Sequence, residues 1–245
     1  MSAPALAPPP VGAVLTDIEG TTSSIAFVKE VLFPFAERAL DGFLDAHAAD
    51  PEVAACLTAV RRAAPGEEPR AVLRRWMAED SKAAPLKTLQ GLIWASGYTG
   101  GEVTGHLWPD VAPCLRAWHR AGIRLNVYSS GSVAAQKLLF GHSSAGDLTG
   151  LFGDFFDTAM GGKREAASYA AIAEKLARPP GDILFLSDVA EELDAAARAG
   201  YAVCQLVRAE DGTQPSGRHP VAADFPAVAA TFGLPVPRLS QGEAA

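Results

Sequence analysis

Four short apolar runs, the first three closing on small polar or acidic residues, constrain this chain most: Ala13 to Asp17, Ile123 to Ser129, Asp182 to Asp188 and Tyr201 to Val207. Runs of this length without polar alternation suit strands buried on both faces, the environment of a parallel sheet. Helical patterns separate the later runs. Val111 to Ala121 precedes the second, Ser132 to Phe140 follows it, Arg164 to Leu176 precedes the third, and Glu191 to Ala199, stopped by Gly200, precedes the fourth. Strands alternating with helices imply right-handed βαβ units and an α/β fold with a Rossmann-like parallel sheet core.

The interval between the first and second runs is far too long for one crossover, and its periodicity is helical. Val31, Leu32, Phe35, Ala36, Leu40, Phe43 and Leu44 share one face, Val72, Leu73, Trp76 and Met77 begin another, and Leu86, Leu89, Leu92 and Ile93 form a third. The expected organisation is a core of residues 11–22 plus 106–238, with a helical cap, residues 23–105, inserted after the first strand. Ala63 to Pro69 reads as a loop inside the cap, and residues 1–10 and 239–245 as flexible termini.

Composition removes several classes of function. The chain is 49% hydrophobic and 20% charged, a globular balance, and its net charge of −7 with no basic run lacks the footprint of a nucleic-acid binder. Cys56, Cys114 and Cys204 are odd in number and form no Cys-x-x-Cys pair, which argues against a disulfide framework or a structural zinc site and for a cytoplasmic protein. MSAPALAPPP at the start has neither the basic region nor the apolar run of a signal peptide, and no stretch is long and apolar enough for a spanning helix. Neither nucleic acid nor membrane is an expected partner.

Chemistry is expected where ligands bind in open parallel sheets, outside the carboxyl ends of the strands. Asp17 and Glu19 follow the first strand, Ser129, Ser130 and Gly131 the second, and Asp188 the third, while Lys163 follows Met160-Gly161-Gly162 and is expected to open a helix. Taken singly, each has an ordinary alternative. Asp17 suits a turn, Asp188 an N-cap, the serines a strand-to-helix turn, and a lone lysine a surface. His106, His119 and His142 show no metal-ligand spacing and read as surface or core histidines.

Taken in order, the acidic motif, the serine, the lysine and the final acid resemble the haloacid dehalogenase superfamily of phosphatases, over roughly residues 11–22 and 105–208. A closer resemblance is to its enolase-phosphatase branch. It rests on the sequence from Asp17 through Glu19, Gly20, Thr21, Thr22, Ser23 and Ser24 to Phe27 and Val28, on Leu32-Phe33-Pro34-Phe35-Ala36, and on Lys87-x-Leu89-Gln90-Gly91-x-Ile93-Trp94. The superfamily usually carries Asp where this chain has Glu19, and Glu is what that branch carries.

The resemblance implies the following expectations. Asp17 is the nucleophile that forms an aspartyl phosphate. Glu19 is acid and base, and its backbone carbonyl is a metal ligand. Ser129, Ser130, Lys163 and Lys87 bind substrate, and Lys163 also acts catalytically by neutralising the phosphate. One Mg2+ is held by Asp17, Glu19 and Asp188, hard oxygen donors of the kind that cation prefers. Glu192 either supports the last motif from behind or is a solvated helix residue. Phe27, Phe33 and Trp94 are cap candidates for facing the substrate, or simply cap core. The implied reaction converts 2,3-diketo-5-methylthiopentyl-1-phosphate to an acireductone and phosphate in methionine salvage. The chain is expected to be a monomer whose partner is a small phosphate ester. The alternative is a phosphatase of the same fold acting on another small ester. A dehalogenase would leave Glu19 and Asp188 without a role, and a retired binding protein would have no reason to keep the whole set.

Overall fold

A computed structural model describes residues 11–237, so the expectation of flexible termini at 1–10 and 239–245 lies outside the described residues. In chain order the elements begin with β1 (Ala13–Thr16), a short helical turn α1 (Ile25–Phe27), a π-helical turn Val28–Leu32, and α2 (Phe33–His47). Next come α3 (Pro51–Ala63), α4 (Pro69–Ala78), α5 (Ala84–Thr99), α6 (Val111–Arg120), β2 (Arg124–Tyr128) and α7 (Val133–Gly141). The chain continues through β3 (Phe152–Phe156), α8 (Ala166–Leu176), β4 (Ile183–Ser187), α9 (Ala190–Arg198), β5 (Ala202–Leu206), β6 (Val221–Ala222) and α10 (Phe225–Phe232).

One sheet carries all six strands in the order β3-β2-β1-β4-β5-β6, every pairing parallel. This is the doubly wound order, and its switch point lies between β1 and β4. Thr16 is level with Val127 on one side and Leu186 on the other, so the chain leaves all three strands at nearly the same height. All four residues of β1 and all five of β4 are buried, as strands covered on both faces must be. Below them Leu15, Phe185, Ile172, Tyr169 and Leu193 form part of one apolar cluster, each such side chain contributing about 1.5–3 kcal/mol by burial. Among the described residues no helix is long and apolar enough to cross a membrane.

Two strands and two helices go beyond the four runs and three cap faces of the sequence. β3, Phe-Gly-Asp-Phe-Phe, is an edge strand whose middle is open to solvent, so Gly153 and Asp154 interrupt its apolar pattern. β6 is two residues long, too short to show a period. α3 and α10 were likewise not expected, and both carry Pro in the first turn, where its missing N–H costs nothing.

The chain divides into two compact units. One is residues 26–105 and contains α2 to α5; the other, with the sheet, comprises, among the described residues, 11–25 and 106–237. In the helical unit Pro34 has no N–H for the Glu30 carbonyl, and Phe33 donates instead to Val28 across the wider π turn. In the sheet unit the two connecting segments are tied together. Ser24 N–H donates to His106 Nδ1 (3.0 Å), and Asp211 accepts from Ser24 Oγ (2.6 Å) and Ile25 N–H (2.9 Å). Burial pulls the His106 pKa down, consistent with a neutral ring whose Nδ1 accepts.

Candidate active site at the ends of β1 and β4

Beyond Thr16 the backbone turns sharply. The Ile18 carbonyl accepts from the N–H groups of Thr21 (3.2 Å), Thr22 (3.0 Å) and Ser23 (2.8 Å), and Thr22 Oγ1 donates to the Asp17 carbonyl (3.2 Å). Asp17, 5% exposed, has its N–H on Leu186 and accepts the Ile18 N–H at Oδ1 (2.7 Å). Glu19 sits half-buried in the same turn, in a bridge with Ser23. Gly20 makes the turn possible: its φ is +70°, and a Cβ there would lie 2.5 Å from the Asp188 carboxylate. Gly20→Ala is therefore expected to cost about 1–3 kcal/mol and to displace Asp188. A drop in thermal midpoint of several degrees checks this.

Lys163 lies in the turn after Gly161 and Gly162; α8 starts only at Ala166, so the lysine precedes the helix rather than opening it. Its ammonium is buried, 2.7 Å from Asp17 Oδ1 and 2.7 Å from Glu192 Oε2. Burial alone would lower its pKa, but the two carboxylates outweigh that and the net direction is up, so Lys163 stays charged. Glu192 also accepts from Ser187 Oγ (3.0 Å); burial and the charge of Asp17 push its pKa up against the pull of Lys163. Of the two sequence readings of Glu192, the buried supporting one holds and the solvated one does not.

Asp188 begins one residue past β4, its N–H donating to Thr21 Oγ1 (3.1 Å). Its Oδ1 is buried and has no hydrogen-bond partner. Burial first, and the Asp17 charge second, push its pKa up to about 7. Three carboxylates, Asp17, Asp188 and Glu192, thus share one ammonium, leaving two negative charges in excess when all are ionised. A divalent cation balances that excess and gives the orphaned Asp188 oxygen a partner, so the donor set fits Mg2+. Among the described residues no group of three His, Cys, Asp or Glu side chains is arranged to hold a metal. Two carboxylates with a backbone carbonyl, waters and a phosphate still suffice for Mg2+, which rarely takes an all-protein cage.

The raised Asp188 pKa fixes a pH dependence for metal-free protein. The folded state holds a proton that the unfolded chain, titrating near pH 4, has given up, so this stability is full below about pH 4 and lost as pH rises through about 7. Between pH 5.5 and 8 the loss is about 2 kcal/mol, or roughly 5 °C in midpoint. Thermal melts in chelator should show it, and Asp188→Asn should reduce it, leaving the part contributed by Glu192, whose pKa is also pushed up to about 7; an unchanged slope in Asp188→Asn would assign it elsewhere.

Ser129 is buried at the end of β2, its N–H on the Phe156 carbonyl (3.1 Å) and its Oγ accepting from Gly131 N–H (3.3 Å); Ser130 is exposed. Ser132 caps α7 by accepting from Ala135 N–H (3.3 Å). The structure thus brings Asp17, Lys163 and Glu192 into one bonded group, with Asp188 near enough for the Asp17 charge to raise its pKa, Glu19 in the turn after β1, and Ser129 and Ser130 on the neighbouring strand end. Lys87 belongs to the other unit, exposed on α5, where Trp94 Nε1 donates to the Leu32 carbonyl (2.8 Å) and stands 6.0 Å from the Phe33 ring. Phe27 is buried there.

Sequence reasoning missed Arg208 and Asp110. Arg208 is 4% exposed, pairs with both Asp110 oxygens (2.9 and 3.0 Å) and donates from Nε and Nη2 to the Thr21 carbonyl (3.2 and 2.9 Å). A fifth bond goes to the Ala223 carbonyl (3.3 Å), so all five guanidinium N–H groups are used. Its charge lies 5.3 Å from the Trp108 ring and 5.7 Å from that of Phe225. A lone arginine after β5 gives no sequence signal of this.

The haloacid dehalogenase-like hydrolase family matches residues 11–200. Enolase-phosphatase E1 of Acidiphilium cryptum (strain JF-5) is 57% identical over 91% of this chain and 97% of its own length. The protein of the same name from Granulibacter bethesdensis is 56% identical over 93% and 99%. Among solved structures, the UTR4 protein of Saccharomyces cerevisiae superposes with a TM-score of 0.75 at 33% identity, covering 88% of this chain and 98% of that one. The chain therefore belongs to the haloacid dehalogenase-like hydrolases and, within them, to the enolase-phosphatase family, and is an enzyme of the phosphatase class.

Proposed function

We propose that this enzyme is a Mg2+-dependent enolase-phosphatase that turns 2,3-diketo-5-methylthiopentyl-1-phosphate into an acireductone and phosphate in methionine salvage. One observation carries the mechanism: the Asp17 carboxylate is held at 2.7 Å from the Lys163 ammonium, beside an Asp188 oxygen with no protein partner. In this reading an Asp17 oxygen attacks phosphorus as the ester oxygen leaves, giving an aspartyl phosphate that water then hydrolyses to phosphate and free Asp17. Glu19 gives the leaving oxygen its proton in the first step and takes one from water in the second.

Lys163 offsets the phosphate charge throughout, and Ser129 and Ser130 donate to its oxygens near the start of α7. Asp17, Asp188 and the Glu19 carbonyl would hold Mg2+, which supplies electrostatic neutralisation of the phosphate and polarises the substrate oxygens. The inserted helical unit, residues 23–105 in this reading, serves as a cap, with Lys87 binding substrate and Phe27, Phe33 and Trp94 the apolar candidates there. The enzyme acts as a cytoplasmic monomer. Purified protein with Mg2+ should release phosphate from this substrate, and from a panel of other small phosphate esters far more slowly. Equal turnover across the panel would favour a general phosphatase.

A further inference from the structure

The turn that carries Lys163 belongs to no helix or strand, yet its backbone is held at three consecutive residues. Tyr128 Oη donates to the Gly161 carbonyl (2.9 Å), Ser168 Oγ to the Gly162 carbonyl (2.9 Å) and Tyr169 Oη to the Lys163 carbonyl (2.7 Å). The donors are themselves fixed. Tyr128 is the last residue of β2, Ser168 and Tyr169 lie in the first turn of α8, and their exposures are 0%, 2% and 0%. The two rings meet edge to face at 5.5 Å, and Tyr169 packs the same way on Phe185 of β4 at 5.1 Å. Burial raises the pKa of both phenols, so they remain protonated and able to donate. Gly161 is required: its φ is +118°, and a Cβ there would lie 2.3 Å from Ser168 Oγ.

A free lysine side chain has many rotamers to lose, and a loosely held turn beneath it would add to that freedom. Here, hydroxyls anchored in the sheet and in α8 satisfy the Gly161 and Lys163 carbonyls and give the Gly162 carbonyl, which accepts the Glu165 N–H at 3.0 Å, a second donor. The ammonium also lies 5.8 Å from the Tyr128 ring centre, so one residue steadies both the turn and the charge. We propose that Tyr128, Ser168 and Tyr169 form a hydroxyl cradle that positions Lys163 against Asp17, and so set phosphate affinity and turnover without touching the substrate. The inference rests on the reading of Lys163 as the phosphate-binding cation.

Tyr128→Phe, Tyr169→Phe and Ser168→Ala each delete one hydroxyl with little change of volume. In full-length protein saturated with Mg2+, inorganic phosphate is the probe, measured by calorimetry beside kcat and KM for phosphate release. Each variant is expected to bind phosphate roughly fivefold to tenfold more weakly and to lose a similar factor in kcat, with Mg2+ affinity unchanged. Tyr201→Phe is the control. Its hydroxyl donates to the Tyr169 carbonyl (2.8 Å) and not to the turn, so it should lower stability but leave phosphate affinity intact. Should Tyr169→Phe fail to fold, the other two report on different bonds of the same turn. The cradle is overturned if the folded variants bind phosphate as the wild type does, or if Tyr201→Phe weakens it equally. Wild-type protein that neither binds phosphate nor releases it would instead sink the functional reading.

Discussion

Asp17→Asn is expected to lower phosphate release by at least roughly 10^4-fold while leaving the protein folded. The amide cannot attack phosphorus, yet it keeps an oxygen to accept the Ile18 N–H that organises the turn. Removing this charge also relieves Asp188, whose pKa is raised partly by Asp17, so Asp188 should titrate lower in the variant. Single-turnover assays with Mg2+ test the first statement, and thermal melts the second. Turnover within tenfold of wild type would remove Asp17 as nucleophile. Loss of activity through unfolding would show in the melt and would not count in its favour.

Arg208→Met is expected to destabilise the protein by about 3–5 kcal/mol, or on the order of 10 °C in midpoint. The cost comes less from the lost attraction than from what stays behind. Asp110 would keep its place beside the Phe225 N–H (2.9 Å) with no guanidinium, and the buried Thr21 carbonyl would lose both its donors. Removing both charges, with Asp110→Leu added, should recover much of the loss, because two apolar residues leave no unpaired ion. Denaturant titrations of the two singles and the double separate these terms; a single-variant cost below about 1 kcal/mol would contradict the buried-pair account.

The sheet was legible where burial on both faces produces unbroken apolar runs, as at Val14-Leu15 and Leu184-Phe185-Leu186. It was not legible at the edges, where the middle of β3 is open to solvent and β6 is too short to have a pattern. Asp17, Lys163 and Asp188 could be read because each follows its own small-residue or strand-end signal. Their mutual distances could not, since contact depends on strand order and not on spacing. Tyr128 and Tyr169 illustrate the limit. An aromatic in a strand or helix reads as core, and both are, yet each also spends its hydroxyl on the lysine turn.

The bond between Ser24 and His106 has a consequence for how such a chain can change over evolutionary time. These residues flank the helical unit and meet at 3.0 Å within the sheet unit, so the ends of the insertion are already joined where the sheet needs them. Loop-closure entropy grows only logarithmically, at about 0.6 kcal/mol for each doubling of length. The sheet is thus nearly indifferent to how much chain lies between those ends. Helices can be lengthened, added or exchanged there at small thermodynamic cost, while the pairing of β1 with β2 and the geometry at Asp17 stay fixed.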